Sequence, residues 1–227
     1  MLIVSDRNEK ESARDYAYRV IRSNIIELYL SPGTAVSESS LCEELDVSRT
    51  PVREALADLA RQKLVDIVPQ KGTTVSLIDP KMVKEGHFLR SLVEQEIVSR
   101  VISKITDEGY RLLESNVLMQ EYHAKHHSVD NFGHLDNEFH SILFRLCDKE
   151  STFRVVTDFQ SHFDRERKLS LEFVRMEDLV KDHREILDAI EKKNRVAAKK
   201  AMKTHLSHVL VDQKILIRNY PQYFKKY

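Results

Sequence analysis

The chain has 227 residues, enough for one large domain or two ordinary ones, and 41% of them are hydrophobic, which favours a packed core over disorder. Only 5 Gly, 5 Pro and no Trp occur, while 32% of residues are charged, a composition typical of long amphipathic helices. The formal net charge is zero, and residues 1–78 carry 10 Lys and Arg against 12 Asp and Glu, so bulk basicity is excluded and any nucleic-acid contact needs a local patch.

The cysteines and the N-terminal sequence predict a cytoplasmic protein. Cys42 and Cys147 lie in apolar helical contexts without CxxC spacing, which indicates small core residues in a reducing compartment. The N-terminus lacks the basic and apolar regions of a signal peptide. No stretch approaches the roughly 18 apolar residues of a membrane span, so we expect no membrane partner.

Three helical segments are predicted in the N-terminal part of the chain. The first carries apolar residues at helical spacing and ends at the stop signal Ser-Pro-Gly, 31–33. Ser37 is a candidate N-cap for a short second helix. Ser48 is a candidate N-cap for a third helix, which holds Pro51 in its first turn, where proline is tolerated.

After the third helix the hydrophobic period changes from about 3.6 to about 2. Val65, Ile67, Val75 and Leu77 alternate with other residues around a turn at 69–72, which predicts a β-hairpin. The order helix, helix, turn, helix, hairpin is that of a winged helix-turn-helix.

Asp79-Pro80 predicts a boundary, because Asp is a favoured N-cap and Pro is favoured at the first helical position. We therefore expect a mostly α protein, with a winged helix-turn-helix domain over 1–78 and an all-α antiparallel helical bundle over 79–227. The periodicity predicts six helices in this bundle, at about 80–104, 106–127, 129–147, 151–174, 176–193 and 195–220.

The third predicted helix has the residue pattern of a DNA-recognition helix. Arg49, Thr50 and Arg53 lie near its N-terminal end, with the two arginines one turn apart on the polar face. Arginine binds guanine O6 and N7 in the major groove, and a helix N-terminus favours phosphate. The hairpin tip offers Lys71 and Gly72 as a slim wing for the minor groove or the DNA backbone. Taken alone, the two arginines favour a solvated helix face, because any amphipathic helix shows arginines to solvent.

The run from Ser37 to Leu56, followed by Leu59, Leu64 and the wing sequence Gln-Lys-Gly, resembles the DNA-binding half of the GntR family of bacterial regulators. The resemblance covers about residues 12–78. It departs from the family pattern at Ser39, where many members carry Arg. It implies that double-stranded operator DNA is contacted by Arg49, Thr50, Arg53, Lys71 and Gly72.

All ten histidines lie from His87 onward, and an aspartate precedes His140 at metal-ligand spacing. Asp136 and His140 are four residues apart, so both project from one helix face, where a carboxylate and an imidazole can bind one metal ion. His183 and His205 each flank the apolar stripe of another predicted helix. Helices of one bundle can therefore point all four groups into a common cavity.

Two other interpretations of these histidines stay open. The pairs Asp130/His134 and Asp158/His162 have the same spacing, so chance accounts for some of these pairs. A histidine on an apolar face is also commonly a core residue whose polar atoms are satisfied by the protein.

The C-terminal part resembles the FadR-type ligand-binding domain of GntR regulators, the FCD domain, over about residues 79–220. The matching motifs are Arg90-x-x-x-Glu94, Asp136-x-x-x-His140, His183 within Asp-His-Arg-Glu-Ile-Leu, and His205 in the last helix. The resemblance implies that this Asp and the three His bind a divalent metal, Zn²⁺, Ni²⁺ or Mn²⁺, and that Arg90 pairs with the carboxylate of a small organic-acid effector. The predicted number of helices, six rather than seven, is similar to that of the shorter VanR-type branch of this family.

Together these features predict a transcription repressor that binds DNA as a homodimer, since one small module buries too little surface for tight specific binding. The resemblance implies that the protein dimerises through the C-terminal domain and that the effector controls DNA binding. Two alternatives stay open. One is a regulator that senses the metal ion itself, and the other is a metal-dependent hydrolase or lyase. The sequence contains no Ser/His/Asp set, P-loop or GxGxxG motif. A catalytic function also does not explain the winged helix-turn-helix domain, so we expect no catalysis.

Overall fold

The computed structural model of the protein describes residues 2–171, 173 and 176–226, and for 209–212 it describes the backbone alone. The fold is mostly α, with a winged helix-turn-helix followed by helices, as the sequence predicts. The predicted break at Arg175 lies outside the described residues. Among the described helices, none combines the length and the apolar character that a membrane span needs.

Three helices form the first part of the fold: α1 (Ala13–Ile26), α2 (Glu38–Leu45) and α3 (Arg49–Arg61). Ser37 caps α2 as predicted, since its side chain accepts a hydrogen bond from the Ser40 N–H. Ser48 occupies the N-cap of α3 without a side-chain cap bond. Between the two helices Asp46 adopts a left-handed φ of 50°. The buried faces of α1 and α3 pack together in the core of this region.

A three-stranded antiparallel sheet has the order β1-β3-β2, with strands β1 (Ala35–Val36), β2 (Val65–Val68) and β3 (Gly72–Val75). β2 and β3 form the predicted hairpin, in which Val65 pairs with Val75 and Val68 with Gly72. β1 was not predicted, because two residues are too few to show a period. Of the alternating residues, Val65 and Val75 are buried, whereas Ile67 is 47% exposed.

Asp79 caps the helix that follows the sheet. Its Oδ1 accepts from the N–H groups of Lys81 at 2.9 Å and Met82 at 3.4 Å, and the helix begins at Pro80 as predicted. The described helices after the sheet are α4 (Pro80–Lys104), α5 (Asp107–Lys125), α6 (Val129–Arg145), α7 (Glu150–Phe159), α8 (Ser161–Ser170), α9 (Met176–Glu191) and α10 (Arg195–Asn219). Five of the six predicted helices agree with these bounds to within two residues.

The predicted count of six helices is corrected to seven within the described residues, because the predicted helix at 151–174 is two helices, α7 and α8. Gln160 between them has φ −94° and ψ 16°, outside α-helical values. The segment contains no Gly or Pro to end a helix. The compact units of the fold also separate α7 from most of α8, which indicates that long-range packing makes the break.

The chain forms two compact units, each with its own hydrophobic core. The N-terminal unit holds the residues up to Val83 together with Ser161–Lys168 and the chain from Ile215. The C-terminal unit holds Lys84–Gln160 and Leu169–Lys214. The division into domains at 78/79 stays a prediction. Local sequence patterns carry no information about the two later segments that the N-terminal unit includes.

Within the N-terminal unit, a buried polar cluster joins α8 to the linker after β3. Arg165 is fully buried, and its guanidinium donates to the Ser76 carbonyl oxygen at 2.6 Å and to His162 Nδ1 at 2.9 Å. The same Nδ1 accepts from the Asp79 N–H at 3.0 Å. Burial lowers the pKa of Arg165 to about 9. Burial and then the Arg165 charge lower the pKa of His162 to about 3, so His162 is a neutral acceptor.

The C-terminal tail pairs with the same linker. After α10 a short 3₁₀ turn (Pro221–Tyr223) leads into a parallel bridge between Phe224 and Ile78. The Ile78 N–H donates to the Tyr223 carbonyl oxygen at 2.8 Å, and the Lys225 N–H donates to the Ile78 carbonyl oxygen at 2.9 Å. The end of the described chain is therefore part of the N-terminal unit.

Candidate metal centre and nucleic-acid interface

The five predicted DNA-contacting residues are all exposed. Arg49 and Thr50 are the first residues of α3, and Arg53 follows one turn later. Lys71 and Gly72 lie at the tip of the hairpin. The opposite side of α3 is buried in the core, so the structure presents the face that the sequence predicts.

Glu38 of α2 holds Arg53. The Arg53 Nε donates to Glu38 Oε2 at 2.7 Å, and the two side chains are 64% and 37% exposed. This hydrogen bond raises the pKa of Arg53. An exposed ion pair is weak, so the Arg53 guanidinium can exchange Glu38 for another acceptor.

The wing turns through two residues with positive φ, Gln70 at 63° and Gly72 at 100°. A Cβ at Gly72 would meet nothing within 4 Å, so a side chain would have room there. Glycine is favoured because of the positive φ. The Lys71 N–H donates to the Val68 carbonyl oxygen at 3.0 Å. The turn leaves the Lys71 side chain exposed at the tip.

Asp136 and His140 of α6, His183 of α9 and His205 of α10 meet inside the C-terminal unit. All four are buried, and each offers one ligand atom within 4.8 Å of the others. His205 Nε2 lies 3.1 Å from His140 Nε2 and 3.2 Å from His183 Nε2. Asp136 Oδ1 lies 3.7 Å from His183 Nε2 and 3.9 Å from His205 Nε2. The predicted set thus converges on one point.

Each of these imidazoles faces an oxygen with its other ring nitrogen. His140 Nδ1 contacts Glu94 Oε2 in a short hydrogen bond. His183 Nδ1 lies 2.7 Å from Gln120 Oε1. His205 Nδ1 lies 3.5 Å from Asp182 Oδ2. The oxygens that face His140 and His183 are hydrogen-bond acceptors, which favours the proton on Nδ1 of these two imidazoles and leaves a lone pair on each of their Nε2 atoms. His205 Nδ1 makes no hydrogen bond with Asp182.

Electrostatics keep His140 neutral and Glu94 ionised. Burial and the Arg90 charge lower the pKa of His140 to about 4, although Glu94 and Asp136 oppose this shift. Burial raises the pKa of Glu94, but Arg90 and His140 outweigh it and bring the value to about 2. At neutral pH the imidazole is therefore in the form that binds metals.

The residues fit a divalent ion by their donor chemistry and their spacing. Ligand atoms about 2.1 Å from one ion are roughly 3.0 to 3.4 Å apart at octahedral or tetrahedral angles. Two separations, 3.1 and 3.2 Å, lie in that range, two more, 3.7 and 3.9 Å, are slightly longer, and the whole group lies within 4.8 Å. Three imidazoles and one carboxylate suit Zn²⁺, Ni²⁺ and Mn²⁺.

The other pairs with the same spacing do not form such a group. Asp130 and His134 are both exposed on α6. Asp158 is exposed on α7, whereas His162 is buried on α8 in the linker cluster described above. Within the described residues, only the group around His140 gathers enough potential ligands for a metal ion.

Arg90, the predicted effector-binding residue, is 2% exposed, and its Nε donates to Glu94 Oε1. Glu94 is therefore a partner of one imidazole, since its other oxygen meets His140 Nδ1, whereas Glu138 accepts from Asn116 Nδ2 at 3.1 Å. Gln120 was missed, because its position on α5 has no spacing relationship with the ligands.

Asp182 was also missed, although it directly precedes a predicted ligand in the chain. It lies 3.5 Å from His205 Nδ1 and 3.1 Å from His208 Nδ1, measured to Oδ2. The available signal was the Asp-His pair at 182–183 next to the predicted core stripe of α9. The pairing across to α10 depends on how the two helices pack.

Family models match both parts of the chain. Residues 85–208 match the FCD domain, and residues 14–75 match bacterial regulatory proteins of the gntR family. The first range contains the four clustered side chains and the second contains α3 and the wing. These are models of transcriptional regulators, not of enzymes.

The chain is 31% identical over 210 residues to the HTH-type transcriptional repressor RspR of Escherichia coli (strain K12), covering 92% of each chain. It is 27% identical over 168 residues to the gluconate operon transcriptional repressor of Bacillus subtilis (strain 168), covering 74% of this chain and 68% of that protein. E. coli McbR/YncC has a similar fold, with a TM-score of 0.78 at 15% identity over 92% of this chain and 99% of that one.

Proposed function

The chain belongs to the gntR family of bacterial regulatory proteins and carries an FCD domain, and from that premise we propose a repressor that a small carboxylate controls through a divalent-metal site. The observation that carries the proposal is the convergence of acceptor atoms at the four clustered side chains. When His140 and His183 donate their Nδ1–H to the oxygens beside them, their Nε2 lone pairs and the Asp136 carboxylate face His205 Nε2. A cation relieves the repulsion that such an arrangement creates.

Asp136, His140, His183 and His205 would hold this metal, and Arg90 would hold the effector. A bound divalent ion offers open positions to carboxylate or hydroxyl oxygens. The Arg90 guanidinium can bind a carboxylate through two parallel hydrogen bonds. Support for Arg90 comes from its buried contact with Glu94, which also meets His140.

DNA binding would use Arg49, Thr50, Arg53, Lys71 and Gly72. Their exposure on α3 and the wing supports the assignment. We propose a homodimer, in which two recognition helices read half-sites about one DNA turn apart. The effector would favour a dimer geometry that misaligns the two helices.

A thermal-shift screen tests the ligand side of the proposal. Purified protein is melted as isolated, after chelation, and after addition of Zn²⁺, Ni²⁺ or Mn²⁺, each with and without small carboxylates and sugar acids. Binding to the native state raises the melting temperature, so we expect a shift from one class of acid that disappears on chelation. Shifts from metal alone would favour a metal-ion sensor, and no shift from any metal would contradict the metal site.

Arg53→Ala tests the DNA side. We expect loss of specific binding to an operator selected from random duplexes, with ligand-induced shifts intact, because a bidentate guanine contact discriminates by about 1 to 3 kcal/mol. Arg61→Ala is the matched control, since it removes another exposed arginine from the last turn of the same helix. An unchanged gel-shift affinity of Arg53→Ala would remove Arg53 from the interface.

A further inference from the structure

Glu94 of α4 lies between the proposed effector-binding arginine and one proposed metal ligand. Its side chain is 2% exposed, its Oε1 accepts from Arg90 Nε, and its Oε2 meets His140 Nδ1. Arg90 lies one turn before Glu94 on the same helix, whereas His140 comes from α6. One carboxylate therefore joins the groups assigned to the two ligands.

The position requires a carboxylate. Both neighbours of Glu94 are donors, and an ionised carboxylate accepts from two donors at once through its two oxygens. Accepting from Nδ1 fixes the proton there and directs the Nε2 lone pair toward the other ligands, where His205 Nε2 is 3.1 Å away. An amide at position 94 has one acceptor oxygen and one donor nitrogen, so it satisfies only one of the two neighbours.

The partners of the other two imidazoles lead elsewhere. Gln120, which holds His183, donates its Nε2 to Asn116 Oδ1 at 2.7 Å. Asp182, which faces His205, also lies 3.1 Å from His208 Nδ1. Of these three supporting side chains, Glu94 is the one that also accepts from Arg90.

We propose that Glu94 is a positioning residue that couples carboxylate binding at Arg90 to metal binding at His140, an inference that rests on the proposed function. When Arg90 binds an acid, its guanidinium charge is shared between the acid and Glu94. Glu94 then becomes a stronger acceptor for the Nδ1–H of His140. The imidazole then donates more electron density at Nε2, so the acid tightens metal binding. By linkage the metal tightens acid binding by the same factor.

Calorimetric titration of the full chain with Zn²⁺, in the presence and absence of acetate, measures this coupling. For the wild-type chain we expect acetate to tighten Zn²⁺ binding about 5-fold or more. Glu94→Gln should weaken Zn²⁺ binding by roughly 10- to 100-fold and remove the acetate effect. Glu96→Gln is the matched control, because this exposed glutamate of α4 pairs with Arg100 and Lys199 and should leave both quantities unchanged.

Arg90→Gln breaks the link from its other end and keeps the test decisive if Glu94→Gln fails to fold. The Zn²⁺ affinity of Arg90→Gln should be the same with and without acetate. An acetate effect that persists in either variant, or that is missing from the wild-type chain despite Zn²⁺ binding, overturns the coupling and leaves the metal site standing. A wild-type chain that binds no Zn²⁺ overturns the coupling and the proposed metal site together.

Discussion

Two buried histidine clusters in this protein differ in what their ring nitrogens face. In the linker cluster, His162 Nδ1 accepts from the Asp79 N–H and from Arg165, so the protein itself satisfies it. In the C-terminal unit, His140 Nε2 and His205 Nε2 face each other across 3.1 Å. Burial is common to both clusters and therefore does not identify a metal site. The convergence of acceptors distinguishes the second cluster, and it lets the two be separated by experiment.

The largest expected difference is in metal content. His140→Ala removes one of the four proposed ligands and should weaken metal binding by more than the roughly 10- to 100-fold that loss of a supporting partner costs. His162→Ala removes an equally buried imidazole and should leave metal binding unchanged, as should His134→Ala on the exposed side of α6. Metal analysis after dialysis measures this, and equal losses in His140→Ala and His162→Ala would erase the distinction.

Much of this contrast could be predicted from sequence. Helical spacing predicted five of the C-terminal helices closely, and the spacing of Asp136 and His140 predicted that they share a face. The Asp79-Pro80 signal predicted the start of α4, because capping is a local property. The exposure of the predicted DNA-contacting residues on α3 and the hairpin also agrees with the sequence pattern, whereas their contact with DNA stays a prediction.

The remainder depended on contacts that no local pattern records. Asp158/His162 has the same spacing as Asp136/His140, yet its two residues lie on different helices because the chain breaks at Gln160. Gln120 holds His183 across 63 positions of sequence. Side chains from distant elements become neighbours only when helices pack, so spacing could nominate the metal ligands but not their supporting partners.

Arg165→Met should destabilise the linker cluster and leave metal binding intact. The substitution removes the donor to the buried Ser76 carbonyl oxygen, which costs about 1 to 3 kcal/mol, while the Asp79 N–H still donates to His162 Nδ1. Arg154→Met, at an exposed position of α7, is the control and should change stability by less than about 0.5 kcal/mol. Urea unfolding measures both, and equal stability of the two variants would mean that burying the Arg165 charge cancels its hydrogen bonds.

Acid should weaken the linker cluster through His162. Its pKa is about 3 in the folded chain against 6.5 for an ordinary histidine, because burial, Arg165 and Lys225 lower it and outweigh the opposing charge of Asp79. Below pH 6.5 the unfolded chain therefore binds a proton that the folded chain does not, and stability falls by up to about 1.4 kcal/mol per pH unit until the folded pKa is reached. His162→Gln keeps an acceptor oxygen without titrating.

Urea unfolding of both chains between pH 7.5 and pH 5, with a chelator present, isolates this contribution as the difference in pH dependence between wild type and His162→Gln. The wild-type chain should lose stability more steeply toward acid. Parallel curves for the two chains would show that the cluster admits a proton without cost, contrary to the two donors that its Nδ1 faces.

The smallest expected effect separates the two roles of Asp79. Its backbone N–H belongs to the histidine cluster, whereas its carboxylate caps α4 and lies 3.7 Å from Lys225 Nζ. Asp79→Ala should cost about 1 kcal/mol through loss of the cap. Asp79→Asn retains an equally good cap and should cost much less. If both substitutions cost the same in urea unfolding, the charge paired with Lys225 would be the stabilising feature, and the start of α4 would depend on Pro80 and packing alone.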